Sequence, residues 1–151
     1  MLDDTDRRIL RYYQSDPEAP AARLAESAGV TATTLSRRLD RMRDTGVLKG
    51  VRNVINWPAL GYEVEVSLRV TLDKTEARAF DEFIPAARLV PEVIEIQTFL
   101  GQVDVRLSVI ARDMAHYQQL YREQLLVLPH INDIEALMQV ARVKGQEALP
   151  I

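Results

Sequence analysis

Four arginines fall within seven positions, Arg37, Arg38, Arg41 and Arg43, interleaved with the short hydroxyl side chains Thr31, Thr33, Thr34 and Ser36. Guanidinium groups meet phosphate oxygens, and hydroxyls on the first turns of a helix reach base edges in a major groove, so this mixture suits contact with double-stranded DNA. Arg37 and Arg41 stand one helical turn apart, Arg38 lies nearer the apolar stripe described below, where it meets either a phosphate or an acidic neighbour, and Lys49 and Arg52 follow within a few positions where they would meet phosphates. The expected DNA contacts are therefore Thr33, Thr34, Ser36, Arg37, Arg38, Arg41, Lys49 and Arg52. A merely solvated basic face is the competing reading, and the flanking elements decide between the two.

Those elements frame the basic stretch as a scaffolded helix. Leu35, Leu39 and Met42 recur at i, i+4, i+7, which is one apolar stripe of helical period. Thr31 suits the N-cap, and Gly46 stands just past the end, where a left-handed residue closes a helix. Upstream, residues 3–15 open with aspartates that favour a helix start and place Leu2, Ile9, Leu10 and Tyr13 near one face. Asp16-Pro17 and Ala19-Pro20 mark a turn, Pro20 opens a short helix over 20–28, and Gly29 ends it. Two short helices joined by a glycine-bearing turn, the second one basic, predict a helix-turn-helix. Residues 47–55, with Val47, Leu48, Val51, Val54 and Ile55, predict a hairpin wing or a linking strand, broken by Trp57-Pro58 and Gly61.

The totals agree with contact by one part of the chain only. Net charge is −3 over 151 residues, yet residues 1–60 carry ten Lys/Arg against eight Asp/Glu, and 61–151 carry nine against fourteen. Within 31–52 the count is six basic against two acidic. A small basic element on an acidic body favours nucleic acid at that element. Absence of cysteine excludes disulfides and thiol chemistry, and with His116 and His130 as the only histidines, no metal, cofactor or catalytic residue is expected. No apolar run reaches membrane-spanning length and the first residues lack the order of a secretion signal, so a cytoplasmic, nucleoid-associated place is expected.

Beyond residue 61 the period changes from 3.6 to 2. Tyr62, Val64, Val66, Leu68, Val70 and Leu72 alternate with Glu63, Glu65, Ser67, Arg69 and Thr71, which predicts a half-buried strand. A helix over 75–88, whole or broken near Pro85, precedes two strands, 92–100 and 103–111, joined at Gly101-Gln102. A helix over 113–127 capped by Asp113 and a strand within 131–142 complete the order βαββαβ. The expected class is α+β: a winged helix-turn-helix domain over 1–50, a linking strand and hinge over 51–61, and a ferredoxin-like domain over 62–151 with both helices on one sheet face. Cover for the other face, if apolar, is expected from a second copy of the chain.

Over its whole length the chain resembles the Lrp/AsnC family of leucine-responsive, feast/famine regulators. LDDTDRRIL resembles the family's opening L-D-x-x-D-x-x-I-L, LAESAGVTATTLSRRLDRMRDTGVLKG its helix-turn-helix and wing, and LPHINDIEALMQVARVK its closing strand region. The resemblance implies a DNA-binding transcriptional regulator whose second domain senses a small amino acid or related metabolite. It further implies homodimers that assemble into octamers, with palindromic DNA as the matching partner. Thr33, Thr34, Ser36, Arg37, Arg38 and Arg41 stand where the family has its DNA-facing polar residues.

In the sensing region the resemblance places the effector near Gly101, Gln102, Val103, Asp104, His130, Ile134 and Ala136, and here this chain departs from the pattern. Gly-Asp-x-Asp becomes Gly101-Gln102-Val103-Asp104, Leu-Pro-Gly becomes Leu128-Pro129-His130, and strand threonines become Ile134 and Ala136. A pocket for an α-amino acid needs polar partners for its charges. The departures therefore imply a more apolar effector, or none. Two other classes of function compete: an architectural DNA-binding protein without effector, and a tetrapyrrole decarboxylase related only by fold.

Overall fold

The computed structural model describes residues 1–145 and 148–151, which divide into two compact units: Met1–Val54 with Lys144–Ile151, and Ile55–Val143. The first contains three helices, α1 (Asp4–Ser15), α2 (Ala21–Ala28) and α3 (Ala32–Asp44). Asp3 caps α1 through a reciprocal box in which Asp6 N–H donates to Asp3 Oδ1 at 2.8 Å and Asp3 N–H to Asp6 Oδ2 at 3.1 Å. Thr31 caps α3, its Oγ1 accepting from Thr34 N–H at 3.2 Å. Between α2 and α3 the chain reverses at Gly29 with φ +65°, a conformation that would strain any residue bearing a Cβ. Ile9, Leu24, Ala25, Ala28, Leu35, Leu39 and Met42 form the buried core of this unit, with Tyr13 and Leu48 packed against it.

One expectation fails at the edge of this unit. Residues 49–56 form no strand: Val51, Val54 and Ile55 lie exposed, and no neighbouring backbone among the described residues offers them a ladder. Leu48 alone turns inward, held by its N–H on the Met42 carbonyl at 2.9 Å. Residues 144–151 group by contacts with the helices. Arg11 Nε donates to the Ile151 carbonyl at 2.7 Å, while Gln14 exchanges two 2.9 Å bonds with the Leu149 backbone.

The second unit begins with a 3-10 turn, Trp57–Leu60, followed by β1 (Val64–Leu72), α4 (Ala79–Arg88), β2 (Val93–Thr98), β3 (Val105–Ala111), α5 (Met114–Leu120) and β4 (Ile131–Met138). The strands form one sheet in the order β2-β3-β1-β4, antiparallel at every pairing. This is the ferredoxin-like arrangement that the βαββαβ order predicts. Val66, Leu68, Val70 and Leu72 of β1 and Val105, Leu107 and Val109 of β3 share one core with Phe83 and Ala87 of α4 and Tyr117 and Leu120 of α5. Trp57 lies under the Arg142 guanidinium, 6.0 Å from its ring centroid.

Details of this unit differ from the expected elements for local reasons. α4 runs unbroken through Pro85, whose missing N–H leaves only the carbonyl of exposed Asp81 without its helical donor. α5 is followed by a wide π-type turn, Tyr121–Leu125, that brings Leu125 back into the core. The β2–β3 connection is six residues, 99–104, closed by Phe99 N–H on the Asp104 carbonyl at 2.9 Å, rather than a tight turn at Gly101-Gln102. The sheet face away from the helices is largely polar: beside Ile110 and Leu137 it carries Glu65, Ser67, Arg69, Glu95, Gln97, Arg106, Ser108 and Glu135, with Arg69–Glu135 and Arg106–Glu95 pairs at 3.5 Å.

Candidate functional site

α3 is amphipathic in the way the spacing requires. Leu35, Leu39 and Met42 pack inward, while Thr33, Ser36, Arg37, Asp40, Arg41 and Asp44 line a shallow open depression on the outer face. Thr33, Ser36 and Arg37 are exposed, and Arg37 has no hydrogen bond or ion pair among the described residues. Thr34 differs, being half-buried with its hydroxyl 3.0 Å from Thr31 Oγ1 in the cap. Lys49 and Arg52 are exposed on the irregular stretch after the helix.

Arg38 pairs with acidic neighbours, the alternative that its place near the apolar stripe left open. Its Nη1 donates to Asp3 Oδ1 and Oδ2 at 2.8 and 2.7 Å and to Asp6 Oδ1 at 2.8 Å, and its Nε is buried without a partner among the described residues. The guanidinium serves the packing of α3 on α1, not the outer face, because buried Asp6 demands a cation. Arg41 is half exposed, but its Nη2 reaches Asp6 Oδ2 at 2.5 Å. Burial pushes the Asp6 carboxyl upward, yet the Asp3 N–H, Arg38 and Arg41 outweigh it, and the group lies below its ordinary range. Arg38, followed by the Asp6 N–H, lowers Asp3 to about 2.

Asp3 and Asp6 were visible in the sequence only as favourable helix-start residues. Their spacing of three, the signature of a capping box, was the available sign that they act as a pair.

The expected effector residues gather only in part. At the end of β1, Thr71 Oγ1 donates to the Gln102 carbonyl at 3.2 Å, and Leu72 N–H donates to Asp104 Oδ2 at 2.9 Å. Asp73 N–H donates to the His130 carbonyl at 2.8 Å. Gly101, Gln102, Val103, Asp104 and His130 thus adjoin one strand end. Ile134 and Ala136 lie opposite Val70 and Leu68, so Ala136 stands about 13 Å along the strand from Leu72. Ile134 is half-buried against the core and Ala136 is exposed.

Asp104 is buried, and its carboxylate supplies the acceptor for the Leu72 amide where the β1–β4 register shifts. Lys74 Nζ lies 3.7 Å from its other oxygen. His130 adopts φ +62°, the left-handed conformation that explains glycine in the resembling family pattern. Its Nε2 lies 2.6 Å from Glu82 Oε2, and this hydrogen bond holds the Glu82 carboxyl below its usual value. Glu82 and Lys74 had no distinguishing spacing in the sequence. Sheet closure alone brings them to these partners.

A three-helix helix-turn-helix unit with hydroxyls and one unpartnered arginine on its outer face, followed by a ferredoxin-like unit, defines a DNA-binding protein with an attached α/β regulatory domain. Comparison with known proteins narrows this class. Residues 2–49 match the family model for winged helix-turn-helix DNA-binding, and residues 65–149 match that for the Lrp/AsnC ligand binding domain. The chain belongs to the Lrp/AsnC family of transcriptional regulators.

It is 32% identical to a proline dehydrogenase transcriptional activator of Rhodobacter capsulatus over 148 residues, 98% of this chain and 96% of the relative. With the leucine-responsive regulatory protein of Rhizobium meliloti it shares 28% identity, covering 95% and 92% of the two chains. An AsnC family transcriptional regulator of Agrobacterium tumefaciens superposes with a TM-score of 0.88 at 26% identity, covering 99% and 97%. The fold is also that of a Neisseria meningitidis transcriptional regulator solved as its L-Met complex, at TM-score 0.91 and 23% identity over 99% and 97% of the chains.

Proposed function

We propose that this regulator reads DNA through the outer face of α3, with Thr33, Ser36 and Arg37 in the major groove and Lys49 and Arg52 on flanking phosphates. Thr34 holds the helix start. The observation that carries this is the unpartnered Arg37 beside two outward hydroxyls, on a helix whose other three arginines all meet carboxylates. Binding as a homodimer to palindromic sites, with assembly to octamers, follows the family pattern and the symmetry such a dimer would impose. The chain acts as a regulator and not an enzyme, in the cytoplasm and on the nucleoid. Among the described residues no helix is long and apolar enough to cross a membrane.

Anisotropy on DNA upstream of its own gene against scrambled DNA, at fixed salt, tests the assignment. At least about a hundredfold preference is expected for the upstream duplex, lost in Arg37→Ala. Equal binding to both would instead favour an architectural role.

The effector region is the end of β1 with residues Gly101–Asp104 and His130, extended along β4 by Ile134 and Ala136. Asp104 is already bound to the Leu72 amide, and two apolar side chains stand where hydroxyls are usual, which favours a ligand with an apolar side chain. The structural relative solved with L-Met supports a small amino acid as the class. Calorimetry with a panel of amino and keto acids should find apolar members binding best. Micromolar binding of a polar amino acid would overturn the apolar preference.

A further inference from the structure

Arg37 and Arg41 are equivalent by spacing, and Asp6 makes them unequal. Asp6 is fully buried, and each of its oxygens is committed. Oδ1 accepts from Arg38 at 2.8 Å, and Oδ2 accepts from Arg41 at 2.5 Å and from the Asp3 N–H at 3.1 Å. Arg43 pairs instead with Asp40 at 2.8 Å, three residues away on the exposed surface, where ion pairs hold weakly.

We propose that Asp6 is a positioning residue for DNA recognition: it fixes α3 against α1 through Arg38 and withholds Arg41 from phosphate, leaving Arg37 as the arginine of that ridge free to meet DNA. This rests on the outer face of α3 being the DNA-facing surface. Arg41 stands one turn from Arg37 on the same ridge, and by spacing alone both would bind phosphate. Moving Arg41 to a phosphate would strip a buried carboxylate of one of its two cations, a cost that no exposed arginine incurs. The triad Arg38–Asp6–Arg41 also ties two positions of α3, one turn apart, to the first turn of α1, so the helix cannot rotate about its axis without breaking one of the two ion pairs.

The distinguishing readout is the salt dependence of binding, since each phosphate neutralised contributes a slope of about 0.9 in log K against log salt. The intact chain is titrated onto a random-sequence duplex across a salt series, beside Arg37→Ala, Arg41→Ala and Asp6→Asn, with circular dichroism to verify the helices. On a random-sequence duplex, which offers no preferred base to Arg37 and leaves its guanidinium to meet phosphate, Arg37→Ala should flatten the slope by about 0.9 per DNA-bound copy of the helix, and Arg41→Ala should leave it unchanged. Asp6→Asn, by releasing Arg41, should steepen it by about the same amount. Should Asp6→Asn fail to fold, the two arginine variants still decide. Equal flattening by Arg37→Ala and Arg41→Ala would overturn the proposal alone, as would a folded Asp6→Asn with an unchanged slope. No change in either arginine variant would remove α3 as the DNA-facing helix and the proposal with it.

Discussion

Each unit of the molecule contains an ion pair that joins one element to the next, and the two are built for different work. In the helical unit, buried Asp6 and capping Asp3 hold Arg38 and Arg41, groups that stay charged throughout the neutral range. In the sheet unit, half-buried Glu82 holds His130, whose backbone is in a left-handed conformation. Permanent charge below a protein surface makes a fixed frame. A single contact beside a strained turn at a strand end is more easily loosened, and it sits where the effector region is expected.

Breaking the first pair should have the largest effect. Asp6→Ala leaves Arg38 and Arg41 without their shared partner, and loss of about 3–5 kcal/mol is expected in the helical unit. Hydrogen exchange should show amides of α1–α3 losing protection while those of β1–β4 keep theirs; uniform loss would mean the pair supports the whole chain. Acid should act on the same network more gradually. Because folding lowers the Asp3 carboxyl from 3.8 to about 2, and lowers Asp6 as well, their contribution is complete above pH 4. It is lost as pH falls through the folded values, so helical content followed by circular dichroism should decline between about pH 4 and 2.

Smaller effects should sharpen the second pair. His130→Gly removes the Glu82 contact but relieves the positive φ, whereas His130→Ala removes the contact and keeps the strain. The glycine variant should therefore melt above the alanine variant, by about 1 kcal/mol of stability. Equal stabilities would show that the left-handed turn is not strained by a Cβ. The smallest change is expected at Arg37: its replacement by alanine should shift unfolding by no more than about 0.5 kcal/mol, since nothing in the fold depends on its head group. A larger loss would reveal a partner that the structure does not show.

Periodicity carried most of the architecture. The stripe of Leu35, Leu39 and Met42 and the alternation from Val64 to Leu72 both report burial directly, and burial is what these elements share with their sequences. No strand follows α3 although Val51, Val54 and Ile55 look like strand residues, because a strand also needs a partner that local sequence does not specify. The site was legible where it is local. Thr31 and Arg37 follow from helix spacing, but the assignment of Arg38 and Arg41 depends on an aspartate more than thirty residues away, which only packing of α3 on α1 reveals.

The chain contains no cysteine, so a single one placed at Ser36 gives a unique attachment point on the outer face of α3. A DNA-cleaving iron chelate attached to Ser36→Cys, bound to the duplex upstream of the protein's own gene, would report where that face lies. Cleavage is expected in two clusters about one helical turn of DNA, or a multiple of it, apart, with the pattern of major-groove attack. Cleavage spread evenly along a duplex that the labelled protein still binds would contradict the placement of α3 in the groove.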